Sequence, residues 1–216
     1  MIKNIYRFII MILVFTAVDD VIADSSNYGF YIDGNVGYAS TDWLNSGLFP
    51  SIVVPNFSLN FTNFKNGHGG FTYGMDVGYL FNRSIGIEMG GMVLPAVSAN
   101  YIINTIPNIT ITGVDNISNW FVYSAGKFIL PIKNFDVFFK AGAAYRDVKF
   151  RGQDEHNNNL DLNGLSFIGG SGAEYHLNSS WSVEAQWMYV TGYTNVNQGI
   201  KVPAVNLIAV GLEFNL

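Results

Sequence analysis

The sequence predicts an all-β protein, an eight-stranded antiparallel up-and-down β-barrel that crosses a membrane, and three observations predict it. Stretches of about 9–11 residues alternate apolar with small or polar side chains, the period of two that gives a strand two unlike faces and a length that suits a tilted crossing. The connections between those stretches alternate long and short. Hydrophobicity is dispersed: of 216 residues only 12% are charged, 15% are aromatic and 23 are glycine. No apolar run reaches the length of a membrane helix outside the N-terminus.

The length is that of one domain. With no cysteine, neither a disulfide framework nor a thiolate metal site is available. A net charge of −5 without a basic cluster argues against nucleic acid as a partner. The first residues form a targeting segment. Lys3 and Arg7 precede the apolar run Phe8–Val18, and Val21-Ile-Ala23 supplies small side chains for the cleavage pockets. That run spans only about half of a hydrocarbon core about 30 Å thick, so a signal peptide is favoured over an uncleaved anchor. The expected division is a signal peptide over 1–23, cut after Ala23 with Ala17 as the alternative site, and a barrel domain over 24–216.

The strands follow in order. Phe30, Ile32, Val36 and Tyr38 share one face, and Tyr31, Asp33, Asn35 and Gly37 the other. Phe71 to Phe81 repeats the grammar, with Asp76 among Gly74 and Gly78 on the small face. Asn82-Arg-Ser84 turns the chain into Ile85 to Val93, where Glu88 lies on the polar face. Trp120 to Phe128 is the next strand, and Pro131 to Asn134 turns it into Phe135 to Tyr145. Leu165 to Leu177, the turn Asn178-Ser-Ser180 and Trp181 to Val190 follow. The last strand is Asn206 to Leu216, with Ile208, Val210, Leu212, Phe214 and Leu216 on its apolar face. The long connections are 39–70, 94–119, 146–164 and 191–203, and they gather at one rim. The short turns and both strand termini gather at the other, which is the architecture of bacterial outer-membrane barrels with long loops outside the cell.

The phrase Gly126-Lys-Phe-Ile-Leu-Pro-Ile-Lys-Asn-Phe-Asp-Val-Phe-Phe-Lys-Ala-Gly-Ala-Ala-Tyr145, with Gly172-Ala-Glu-Tyr175 before Trp181, resembles the transmembrane domain of the OmpA-like, opacity-type porin family. The resemblance covers most of 24–216 and implies a Gram-negative outer-membrane location, with lipid and lipopolysaccharide around the barrel. Gly211, Phe214 and Leu216 are similar to the C-terminal signal that barrel-assembly machinery reads, although many members end on an aromatic. No counterpart of the family's peptidoglycan-binding domain is expected, so no cell-wall tether is carried over.

Strand faces decide what surrounds the barrel. Asp33, Asp76, Glu88, Lys127, Lys140, Glu174, Glu184 and Glu213 all share the glycine-rich face, and none falls on the aromatic-aliphatic one. A soluble lipocalin-like cup would place bulky aromatics in a narrow lumen and glycine outside. The apolar face therefore meets lipid, where a Lys or Arg at mid-bilayer costs about 2–4 kcal/mol. Tyr79, Phe128, Tyr175, Trp181 and Phe214 at the short-turn rim, and Tyr38, Phe71, Trp120, Tyr145, Trp187 and Tyr189 at the other, form two aromatic girdles.

The candidate site is an interior charge network of Glu88, Lys127, Lys140, Glu174 and Glu184. Pairing Leu177 with Trp181 puts Glu174 across from Glu184, so that a proton or a cation must come between them, with Lys140 the candidate. Glu88 and Lys127 on adjacent strands are expected to pair. Such a network either gates the lumen, or supplies an acid pair, or fills the interior of a narrow barrel. His68 and His156 in long loops and His176 beside a short turn are too scattered for a metal site. Ser166 faces inward by phase, so no lipid-facing nucleophile and base are visible for lipid A chemistry. No cofactor is expected.

Asn-x-Thr triplets such as Asn60-Phe-Thr62 and Asn108-Ile-Thr110 read as Asn/Thr-rich loops and strand extensions. The expected function is a structural or weakly porin-like outer-membrane barrel. The alternative is a surface adhesin that meets a host ligand through the apolar content of its first two long loops, Leu48-Phe49, Ile52-Val-Val54, Ile102-Ile103, Ile109 and Ile111. Those residues equally suit strands that continue beyond the membrane as a wall.

Overall fold

The computed structural model describes residues 29–41, 43, 52–54, 57–65, 68–105, 109–152, 159–195 and 200–216. The expected signal peptide, Ala23, Leu48, Phe49 and His156 lie outside the described residues. The elements in chain order are β1 (Gly29–Thr41), β2 (Ile52–Val54), β3 (Phe57–Lys65), β4 (Gly70–Asn82), β5 (Ile85–Val93), β6 (Val97–Thr105), β7 (Ile109–Ile132), β8 (Phe135–Gly152), β9 (Asn159–His176), β10 (Trp181–Val190), β11 (Tyr193–Asn195), β12 (Ile200–Val202) and β13 (Val205–Asn215). Among the described residues there is no helix.

Eight of these strands close a barrel in the order β1, β4, β5, β7, β8, β9, β10, β13 and back to β1, every pair antiparallel. The seam between the first and last strands runs from Tyr31 opposite Asn215 to Thr41 opposite Val205. Closure removes the free sheet edges that lipid could not satisfy. Turn chemistry sets the register at the short-turn rim. Asn82 Oδ1 accepts from the backbone N–H of Ser84 and Ile85, and Asn178 Oδ1 does the same for Ser180 and Trp181. Lys133 takes a left-handed φ of 59° in the turn between β7 and β8, a conformation two-residue hairpins require.

The faces divide as expected. Phe30, Ile32, Val36, Tyr38, Phe71, Met75, Trp187, Ile208, Val210 and Leu212 stand exposed around the outside, while all eight charged strand residues are buried inside. Exposed apolar side chains in a continuous belt are stable only against lipid.

In the first two long connections the described residues follow the alternative of strands that continue beyond the membrane as a wall, and strand also replaces loop in parts of the other two. Residues 109–119, 146–152 and 159–164 are strand, continuing β7, β8 and β9 past the belt. Within 39–70 and 94–119, β2, β3 and β6 form a wing on β7, with β3 opposite β6 and β6 opposite Ile109 to Ile117. The connection 191–203 holds the β11–β12 hairpin. The physical reason is that backbone pairing once begun adds a hydrogen bond for each further residue, and Phe150, Leu160 and Leu162 keep the inward alternation that the polar composition of 146–164 conceals.

The lumen is layered. The eight charged side chains named above occupy the half nearer the short turns. Above them Ala39, Met92, Leu94, Phe121, Ala144, Ile168, Met188, Val190, Val205 and Leu207 pack into an apolar cluster across the barrel. A second cluster of Trp43, Val97, Ile117, Val148, Leu162 and Val202 lies beyond it at the long-loop end.

Candidate functional site: the charged lumen

Each barrel strand contributes one charged residue to the lumen layer: Asp33 from β1, Asp76 from β4, Glu88 from β5, Lys127 from β7, Lys140 from β8, Glu174 from β9, Glu184 from β10 and Glu213 from β13, all buried. Alternation turns them inward, and glycines leave them room. A methyl group at Gly211 would lie 2.6 Å from Asp33 Oδ1 and 2.6 Å from Asn35 Oδ1. At Gly78 it would overlap the Tyr31 ring.

The two lysines organise the acids into two groups. Lys127 Nζ lies 3.2 Å from Glu213, 3.5 Å from Glu174 and 3.9 Å from Glu184, under the faces of Tyr31 and Phe138. Lys140 Nζ lies 2.7 Å from Glu88 Oε1 and 3.9 Å from Glu184 Oε1, and donates to Gln186 Oε1 at 3.1 Å. Tyr31 and Tyr123 donate their hydroxyls to the two oxygens of Glu88. On the far wall Asn35 Nδ2 donates at 2.7 Å to both Asp33 and Asp76, and Gln186 Nε2 donates to Asn35 Oδ1, which links the groups.

Glu174 and Glu184 stand directly opposite one another on β9 and β10. The expected partners are exchanged, however: Lys127 is the ammonium within reach of both, rather than Lys140, and Glu88 closes on Lys140 rather than on Lys127. The register gives the reason. Lys127 and Lys140 face each other across β7 and β8, and like charges in a cross-strand pair repel. Each reaches over the other's strand, Lys127 past β8 to Glu213 and Lys140 past β7 to Glu88. Asp33, Asp76 and Glu213 carry the same inward phase as the five expected members, and that phase is the signal that includes them.

The carboxylates of Glu174, Glu184 and Glu213 lie within 4.8 Å of one another, a spacing that suits a cation. Lys127 Nζ sits within 3.9 Å of all three, so the chain's own ammonium takes the cation's part. Buried charges of one sign are tolerated only with such compensation.

Below the network, at the short-turn rim, three residues far apart in sequence meet. His176 Nε2 lies 3.0 Å from Asp136 Oδ2, and its Nδ1 lies 2.8 Å from Ser182 Oγ. Asp136 faces Glu174 and Ser182 faces His176 across their strand pairs. The sequence offers no local motif for this line. It has the membership of a hydrolytic triad, yet Ser182 is 0% exposed and a nucleophile must reach a substrate carbonyl. Its other neighbour is Glu174, 3.5 Å from His176 Nδ1, so the line joins the rim to the charged layer. Ser166 is buried and faces inward, and His68 lies at the other end of the barrel beside β4, with its carbonyl accepting from Ser40.

Of the three terminal positions, Gly211 is buried against Asp33, and Phe214 packs its ring 4.8 Å from Trp181. Leu216 is 72% exposed, with its N–H donating to Phe30 O. Ile52 to Val54 are strand β2, Ile102 and Ile103 lie in β6, and Ile109 and Ile111 in β7; their side chains lie outside the described residues.

Comparison with known proteins places this geometry. A family model described as an outer membrane protein beta-barrel domain matches residues 8–214. An uncharacterised protein of Coxiella burnetii is 25% identical over 225 residues, covering 92% of this chain and 89% of that protein. The crystal structure of Neisserial surface protein A is similar at a TM-score of 0.53 and 12% identity, covering 89% of this chain and 100% of that one. Ail, the attachment invasion locus protein of Yersinia pestis, superposes at a TM-score of 0.48 and 12% identity over 86% of this chain and 98% of its own.

Proposed function

We propose, for a chain that belongs to the family of outer membrane protein β-barrel domains and lies in the outer membrane, a structural role as a closed, non-enzymatic barrel that presents its long-loop end at the cell surface. The observation that carries this reading is the apolar layer. Phe121, Ile168, Met188 and Leu207, each 0% exposed, meet across a lumen that eight strands make just wide enough to fill with side chains. A weakly porin-like role requires that layer to part, because an ion crossing a dry apolar section meets a steep desolvation barrier. Lipid and lipopolysaccharide are the partners of the outer belt, and Gly211, Phe214 and Leu216 are the residues offered to the barrel-assembly machinery.

Planar-bilayer recording on the refolded protein tests the reading. Wild type is expected to show no steady conductance, and Met188→Ser with Leu207→Ser to admit a measurable current. A steady open channel in wild type overturns the closed-barrel reading.

A second reading rests on the wing. β2, β3 and β6 extend the sheet beyond the lipid belt alongside the upper part of β7, which makes a platform suited to binding a host surface. Cells expressing a variant without residues 52–65 are expected to lose adhesion while keeping the barrel; unchanged adhesion rules this surface out.

A further inference from the structure

At the long-loop end, on the far side of the apolar layer from the acidic lumen, Arg146 of β8 faces inward and is fully buried. Its Nη1 donates to the carbonyls of Pro203 at 2.7 Å and Thr191 at 3.3 Å, the two ends of the connection that carries β11 and β12. The Tyr193 ring lies 5.8 Å from its guanidinium carbon. Nε and Nη2 are buried without a hydrogen-bond partner, and so is Oγ of Ser166. Among the described residues no carboxylate forms an ion pair with Arg146: Asp147 pairs with Lys149, and Asp161 with Arg151.

The unused edge decides the chemistry. Nε–H and Nη2–H point in parallel from one side of a guanidinium, the fork that matches two oxygens of a carboxylate or phosphate. Ser166 stands close to it in register. Arg146 faces Gly164 on β9, and Ser166, two residues on, faces Ala144, so hydroxyl and guanidinium share the inner face of neighbouring strands. A buried cation with two free N–H groups and a free hydroxyl beside it lacks both acceptors and a negative charge. A neutral acceptor supplies only the first.

We propose that Arg146 and Ser166 form a binding site for a small oxyanion, a carboxylate or phosphate, beneath the β11–β12 hairpin. The hairpin, itself a ladder of three residue pairs, lies against β9 through hydrogen bonds from Tyr193 Oη to the Leu162 carbonyl at 3.0 Å and from Asn195 Nδ2 to the Asn163 carbonyl at 3.4 Å. Burial pushes the Tyr193 hydroxyl up to about 12, so it stays a neutral donor. Exchange of the anion requires that ring to swing aside, which breaks its hydrogen bond to Leu162 and its packing on the upper apolar cluster. The site is independent of whether the lumen conducts, since it lies beyond the apolar layer.

Titration of the folded protein in detergent with inorganic phosphate and with acetate, at constant ionic strength against chloride, tests this. Wild type is expected to bind at least one of the two saturably and to gain thermal stability with it. Arg146→Lys, which keeps the charge and loses the fork, is expected to bind about tenfold more weakly, and Arg146→Gln not to bind. The wild-type Arg146 Nε–H resonance is expected to shift with the same midpoint, a readout that does not depend on the variants folding. No saturable binding of either anion by wild type, an Nε–H resonance that stays in place, or full binding by Arg146→Gln overturns the assignment.

Discussion

Lys140 Nζ lies 2.7 Å from Glu88 Oε1 in the interior of the barrel, the shortest of the lumen ion pairs, with both side chains 1% exposed. Glu88 has two further donors in Tyr31 and Tyr123, so losing the lysine leaves a carboxylate that is hydrogen-bonded but without its counter-charge. Removing one partner of a buried pair costs about 3–5 kcal/mol, whereas replacing both by apolar groups of similar size is often close to neutral. Lys140→Met is therefore expected to destabilise the folded barrel by about that amount in reversible urea unfolding from lipid vesicles, and Lys140→Met with Glu88→Leu by much less than the sum of the singles. Additive losses would mean that the two side chains do not interact.

Gly211 and Gly34 sit on adjacent strands and answer differently to an added side chain. Gly211 faces Asn35 in register, where a methyl group meets Asp33 and Asn35 oxygens at 2.6 Å. Gly34 has nothing within 4 Å. Gly211→Val is expected to cost about 1–3 kcal/mol by overpacking, and Gly34→Val to stay within about 0.5 kcal/mol. Equal effects in the same unfolding assay would show that the lumen wall is not packed as described.

Beyond the lipid belt, Arg151 Nη1 donates to Asp161 Oδ1 at 2.6 Å, and this hydrogen bond holds the Asp161 carboxyl below the usual carboxylate range. A depressed folded value means that the pair supports the β8–β9 extension above the unfolded carboxylate value, about 3.9, and ceases to do so as pH falls through the folded one. The pair is exposed, so the effect is local. In a carbon-detected titration Asp161 is expected to protonate at lower pH in wild type than in Arg151→Ala; identical midpoints would remove the pair from solution.

The juxtaposition of Glu174 with Glu184 is legible in the amino-acid sequence, because a tight turn closed by Leu177 and Trp181 leaves one register for the strands it joins. The line of Asp136, His176 and Ser182 is not. Its members come from three strands, and only the relative stagger of β8 against β9 brings Asp136 level with the histidine. The wing is legible only as an alternative: the apolar residues of the first two long connections suit a wall of strands as well as a loop surface, while what pairs β3 with β6 is main-chain bonding between segments about forty residues apart, to which side-chain periodicity is blind.

The sequence by itself determined the number of crossings, the rim at which each connection lies and the face on which each charge sits, because a strand has a period of two and lipid admits only one of its faces. Tertiary structure alone decided which charge meets which. Lys127 and Lys140 share a rung, and each reaches over the other's strand to a carboxylate that only the closed wall brings within range. Closure likewise brought the apolar layer together from strands distant in sequence, and placed Arg146 beyond it with one edge of its guanidinium unused.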